Sequence, residues 1–196
     1  MIYTRGAKSA IAQALHELHP VKAVERWDRM PDDGTRYLFC AGLQIQKPTC
    51  QQSIEEVGEL FLVNAAAVIR ECDRLLDANP KARICVMGSE AAFTWGFNGT
   101  YAGAKAALHR YVETKRIKWP DQQLVCVAPT MVLGTGMNNQ RNEDGAAAAE
   151  RRRINHPKMR WLQPMEVARI IKFLLCEDDG YITNVVIRVN GGEHCK

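Results

Sequence analysis

Tyr101 and Lys105 stand four residues apart in the stretch SEAAFTWGFNGTYAGAK, residues 89–105. On a helix that spacing puts both side chains on one face. A free phenol titrates near ~10 and is neutral at physiological pH. An ammonium held close favours the phenolate and turns the tyrosine into a usable general acid or base. Ser89 follows the apolar run RICVMG and could set a hydroxyl against the same reacting oxygen. Taken alone, the pair has a second reading as two solvated side chains on a helix surface, so the flanking elements must decide.

Residues 1–4 read as the end of a strand, RGAKS as a turn, and residues 9–18 as a helix with Ile11, Leu15 and Leu18 inward. Strand, glycine turn and helix form the first half of a nucleotide-binding βα unit, whose helix N-terminus offers unsatisfied N–H groups to a pyrophosphate. Gly6 permits the close approach, although a plain βα turn has the same outline. Residues 21–26 suggest a short strand, 27–35 a tight connection, and 36–43 an apolar strand ending at Ala41-Gly42. No helix, strand and second helix fit between these two strands.

Residues 53–76 carry one long helical pattern with Asn64 inside the apolar run LFLVNAAAVI. An asparagine there needs partners. Either a neighbouring carbonyl or water satisfies it, or it interrupts the helix and frees a carbonyl to hold a water. Strand 83–88, a helix from 101 to about 119, and strand 124–128 closed by Pro129 come next. Loop 130–137 lies at a strand's carboxyl end, the usual place for ligands in open α/β sheets. Residues 138–162 are polar around an alanine patch and suggest a mobile helical flap. Pro164 opens a helix over 165–176, and strand 184–189 closes the chain. Strands and helices alternate throughout, so a doubly wound, mostly parallel α/β sheet is expected, as one domain over residues 1–196.

Composition narrows the function. The chain is 46% hydrophobic with a net charge of +4, too little for a nucleic-acid partner by itself, and Arg151-Arg152-Arg153 is expected on an exposed helix face. Seven cysteines without a CxxC pair imply neither a disulfide framework nor a zinc site. They point to a reducing, cytoplasmic compartment. No apolar run is long enough to span a membrane.

In this order the motifs resemble the short-chain dehydrogenase/reductase family over nearly the whole chain. They are RGAKSAIA, CAG at 40–42, VNAA at 63–66, MGS at 87–89, YAGAK, APTMVLGT and the terminal VNGG. The resemblance implies a Rossmann-like fold and an NAD(P)-dependent oxidoreductase interconverting a carbonyl and an alcohol on a small-molecule substrate. Tyr101 would be the general acid or base, and Lys105 would lower its pKa and bind the nicotinamide ribose. Ser89 would polarise the substrate oxygen, and Asn64 would support a water linking Lys105 to solvent. Gly6, Lys8, Ile11, Ala41, Gly42, Pro129, Val132 and Thr135 would line the cofactor, Val132 through its backbone.

Three departures qualify it. Ala10 and Ala12 replace two glycines of the phosphate turn, and Cys40 replaces the asparagine usual before Ala41-Gly42. The stretch from Gly6 to Gly42 is also about half the family length. About six strands should remain, one edge strand and its helices being lost, with the adenosine half exposed. The alternative is therefore a non-catalytic dinucleotide sensor or scaffold on the same fold. Glu25 would favour NAD and Arg26 NADP, while Arg5 and Lys8 tip the expectation towards NADP; all four could also be solvated surface charges. The family implies a dimer or tetramer through the helices carrying Asn64 and Tyr101. Segments 90–100 and 135–162 would set specificity, with Phe93, Trp95 and Phe97 as an apolar pocket wall.

Overall fold

The computed structural model describes residues 1–94, 98–135 and 143–193. Six strands build one sheet: β1 (Ile2–Arg5), β2 (Val21–Val24), β3 (Arg36–Phe39), β4 (Arg83–Met87), β5 (Gln123–Pro129) and β6 (Val185–Val189). Their order is β2-β1-β3-β4-β5-β6, and every pair is parallel. The helices are α1 (Ala10–Leu18), α2 (Ile54–Phe61), α3 (Ala67–Ala78), α4 (Gly99–Thr114), α5 (Glu143–Asn155) and α6 (Pro164–Lys172).

A parallel sheet must be covered on both faces, which is why its strands read as apolar runs. Alternate residues separate the two cores. Leu38, Cys85, Val125 and Val127 pack with Ile11 and Leu15 of α1 and Val167 and Ile171 of α6. Tyr37, Phe39, Ile84 and Val86 pack with Cys72 and Leu75 of α3 and Leu108 and Val112 of α4. The result is a doubly wound α/β sandwich. Strand order reverses between β1 and β3, and the crevice above their carboxyl ends is where ligands enter such sheets.

The expected long helix is continuous from Ile54 to Ala78 but contains a π-helical turn at Leu62–Ala66, centred on Asn64. Ser53 and Glu56 close a capping box at its start. The helix expected to reach 119 ends at Thr114.

The shortened first half is held by a strap, residues 25–35, between β2 and β3. Met30 is fully buried in the core on the α3 side. Its N–H donates to Glu71 Oε1 at 2.7 Å, and its carbonyl accepts from Arg74 Nη2 at 2.6 Å. Arg74 also pairs with Asp32. The Tyr37 hydroxyl lies 2.8 and 2.6 Å from the carbonyls of Pro31 and Gly34, which share its one proton. Side chains of β3 and α3 thus satisfy a connection that has no ladder of its own.

Candidate active site

Ser89 sits where β4 ends and caps the short 3₁₀ turn Glu90–Ala92, its Oγ accepting the Ala91 N–H at 3.2 Å. With that lone pair engaged, the hydroxyl proton is left to donate on the Tyr101 side. The Ser89 N–H donates to His109 Nε2 at 3.2 Å. Gly88 makes the contact possible, because a Cβ there would lie 2.2 Å from the same nitrogen.

Asn98 starts α4 by accepting the Tyr101 N–H at 2.9 Å, and its amide donates to the Ile45 carbonyl at 2.8 Å. The first turn of α4, and Tyr101 with it, is thereby anchored to the loop after β3. Lys105 is buried, and its ammonium donates to the Met87 carbonyl at 2.7 Å. It lies 5.9 Å from the centre of the Tyr101 ring.

Titration in this geometry differs from expectation. Burial holds the Tyr101 phenol above its ordinary value, and a hydrogen bond with the Ser89 side chain pulls it partly back. Lys105 does not lower it; burial instead brings the lysine's own pKa down to about 8. The ammonium points to a backbone carbonyl rather than the phenol, which accounts for the difference.

Asn64 is fully buried. Its amide donates to the Leu43 and Leu60 carbonyls at 2.8 and 3.0 Å, and its oxygen accepts the Leu43 N–H at 3.1 Å. Of its two sequence readings, this is satisfaction by neighbouring backbone combined with a helix interruption. The residue ties the loop after Gly42 to the π turn.

Ser89, Tyr101 and Lys105 open onto a cleft of about 820 Å³ that also meets Gly6, Lys8, Ile11, Arg26, Ala41, Gly42, Pro129, Val132 and Thr135. The structure brings together every expected cofactor contact; Asn64 stands behind the wall. Gly6 has φ +87°, and a Cβ on it would come within 2.4 Å of the Ala41 nitrogen, so only glycine serves this turn. Ser9 caps α1, accepting the Ala12 N–H at 3.2 Å, and its Oγ lies 3.0 Å from Cys40 Sγ. Cys40 therefore joins the phosphate turn to the end of β3. Thr135 donates to the Val132 carbonyl at 3.2 Å. Trp95, Phe97 and residues 136–142 lie outside the described residues.

Three features of the rim went unseen in the sequence. Buried Glu90 pairs with Arg188 and accepts from Asn190 Nδ2 at 3.0 Å, while Arg188 lies 4.5 Å from the Phe93 ring centre. Arg152, expected on an exposed face, pairs instead with Glu193, bonds Thr130 Oγ1 at 3.2 Å and lines the cleft. His109 supports Ser89. Only His109 has a local cue, a histidine one turn beyond Lys105 on α4.

A glycine turn at a helix N-terminus and a hydroxyl–phenol–ammonium group, lining one cleft of a parallel sheet whose strand order reverses between β1 and β3, define a Rossmann-like dinucleotide-binding domain. The family model described as enoyl-(acyl carrier protein) reductase matches residues 35–194. The vibriobactin-specific 2,3-dihydro-2,3-dihydroxybenzoate dehydrogenase of Vibrio cholerae is 29% identical over 183 residues, covering 86% of this chain and 69% of that protein. The uncharacterized oxidoreductase YmfI of Bacillus subtilis is 33% identical over 150 residues, 73% of this chain and 59% of that one. Among solved structures, a glucose/ribitol dehydrogenase from Brucella melitensis superposes with a TM-score of 0.82 at 21% identity, covering 100% of this chain and 96% of that one. A small-chain dehydrogenase in complex with NADPH gives 0.82 at 15% identity, over 98% and 97%. The chain belongs to the short-chain dehydrogenase/reductase family and is an oxidoreductase of that class.

Proposed function

We propose that the chain, acting as a single domain over residues 1–196, interconverts a carbonyl and an alcohol on a small molecule with NADP(H) or NAD(H). The observation that carries this reading is one cleft with Gly6 and the α1 N-terminus at one part and Ser89, Tyr101 and Lys105 at another. The nicotinamide dinucleotide supplies or accepts the hydride. Ser89 holds the substrate oxygen through its hydroxyl. Tyr101 gives a proton to that oxygen in reduction and removes it in oxidation. Lys105 keeps a positive charge beside the reacting oxygen and has two ammonium protons beyond the one on Met87, which suit ribose hydroxyls. Asn64 positions the loop at Gly42. Gly6, Lys8 and Ile11 cradle the phosphates, with Ala41, Gly42, Pro129, Val132 and Thr135 along the rest of the cofactor.

Arg26 and Lys8 are exposed cations at the cleft, and Glu25 stands beside Arg26. Two cations against one acid favour a 2′-phosphate, hence NADPH over NADH. Following nicotinamide fluorescence, NADPH should bind about tenfold more tightly, and Arg26→Ala should remove most of that difference. Equal binding would reject the preference. Failure of both to bind a folded chain would reject the oxidoreductase reading.

No helix among the described residues is long and apolar enough to cross a membrane. Six described cysteines, from Cys40 to Cys176, are free, which supports a reducing, cytoplasmic setting. Self-association is favoured by the outer face of the long helix, where Ile54, Phe61 and Leu62 are 76%, 39% and 47% exposed. Sedimentation at micromolar concentration should show a dimer or tetramer, and Leu62→Glu should shift it to monomer. A wild-type monomer would reject this interface.

A further inference from the structure

One ion pair ties α5 to the turn that follows β6. Arg152 Nε donates to Glu193 Oε1, and Nη2 donates to Oε2 at 2.9 Å. Nη2 also donates to Thr130 Oγ1 at 3.2 Å, and the Thr130 hydroxyl donates to Glu193. His156 Nε2 donates to the Asn190 carbonyl at 2.9 Å and secures the same turn. The guanidinium is therefore oriented before any ligand arrives. Its third nitrogen, Nη1, keeps two N–H groups with no partner among the described residues. The Glu193 side chain is 8% exposed and that of Arg152 is 39% exposed, so the arginine is the open side of the pair. With Thr130 it lines the cleft.

This is the reacting end of that cleft. Thr130 follows Pro129 at the end of β5. The Gly88 N–H donates to the Val127 carbonyl at 2.8 Å, which carries the pairing of β4 with β5 up to Ser89. Among the described residues, two carboxylates line the cleft. Glu25 lies beside Arg26, and Glu90 is 1% exposed and taken up by Arg188 and Asn190. Arg152 and Lys105 thus face the reacting end with no open acid against them, and such a surplus draws a negative charge. Glu193 offsets part of the guanidinium charge, which suits a monoanion better than a dianion. Ala91, Met131 and Val132 line the same cleft and suit an apolar body.

We propose that Arg152 is the anion-binding residue of the substrate subsite and that the substrate is a carboxylate: an oxo acid in reduction, a hydroxy acid in oxidation. The inference rests on the oxidoreductase reading above. Nη1 donates to the carboxylate, while Glu193 and Thr130 hold the guanidinium in place.

The test pairs acetoacetate, laevulinate and phenylpyruvate with their methyl esters. Binding to the full chain is measured by calorimetry with and without NADP⁺, and turnover is measured with NADPH. In the wild type at least one acid should bind about tenfold or more tightly than its ester, as expected for hydrogen bonds to a charged group. kcat/KM should show the same bias. Arg152→Gln should bring both ratios to about one. Each ratio is internal to one protein, so a general loss of fold or turnover leaves it unmoved. Glu193→Gln separates contact from support. It loosens the tie to the carboxyl-terminal turn but leaves the guanidinium its full charge, so the acid bias should hold or rise. Bias lost in Glu193→Gln as in Arg152→Gln would make the arginine a mere tie for α5 and overturn the subsite. A bias that survives Arg152→Gln would belong to Lys105 and overturn it too, as would a wild type that binds no acid. Esters bound and reduced as well as the acids would overturn the subsite and leave the oxidoreductase reading standing. Acid binding that depends on Arg152, in a chain that binds neither NADPH nor NADH, would do the reverse.

Discussion

Tyr101→Phe should lower turnover by about 10²–10⁴-fold, the usual contribution of a positioned general acid or base, with NADPH affinity unchanged within about twofold. The phenyl ring keeps the helix packing and removes only the hydroxyl. The pH profile separates Tyr101 from its nearest competitor. Lys105, brought down to about 8 by burial, has the pKa nearer neutrality and is on that ground the better proton donor. Geometry decides against it, because its ammonium is buried and bound to the Met87 carbonyl, whereas Tyr101 is half-buried beside Ser89. Burial keeps the phenol protonated through neutrality, so reduction should proceed there without prior ionisation. Oxidation needs the phenolate and should accelerate as pH rises. In the phenylalanine variant that acceleration should vanish. A variant that retains most of its activity, with an inflection near 8, would make Lys105 the acid and overturn the assignment.

How much of this site can be read from the chain depends on how local each feature is. Tyr101 and Lys105 share one turn of α4, and Ser89 ends the strand before it, so spacing and order reveal them. Gly6 is legible because a βα turn has a fixed outline. Asn64 stands out as a polar residue in an apolar run, but its partners on Leu43 lie on another element, and the π turn that seats it has no pattern of its own. Contacts made across the sheet leave no trace in local sequence. Glu90 meets Arg188 across 98 positions, and Arg152 meets Glu193 across 41. A run of three arginines after alanines looks solvated until the carboxyl-terminal turn folds beside it. Met30 is equally invisible within a turn-like, charged connection, although it fills the core where the shortened half would otherwise leave a gap. The titration of Tyr101 is hidden from the sequence for a related reason. Spacing places Lys105 on the right face but does not say which acceptor its long side chain selects.

His109 ought to make the fold acid-sensitive in a defined window. Burial lowers its pKa from 6.5 to about 4; Lys105 adds to the depression and Glu90 opposes it. Its Nε2 accepts the Ser89 N–H, so protonation removes that acceptor as well as placing a cation near Lys105. In the unfolded chain the imidazole takes up a proton near 6.5, while the folded protein resists until about 4. Across that interval the unfolded state binds more protons, so stability falls as pH falls. The contribution is fully present above about 6.5 and is lost on descending to about 4, a total of about 3 kcal/mol. His19, also lowered, tilts the curve the same way but is more exposed. Comparison with a single variant isolates the buried group. Urea unfolding of the wild type between pH 7 and 4.5 should show the decline, and His109→Gln, which gains no proton, should remove most of it at whatever stability it starts from. Parallel curves for the two proteins would mean that His109 is protonated at no cost to the fold. The Gly88–Ser89 corner would then owe its position to β4 and α4 alone.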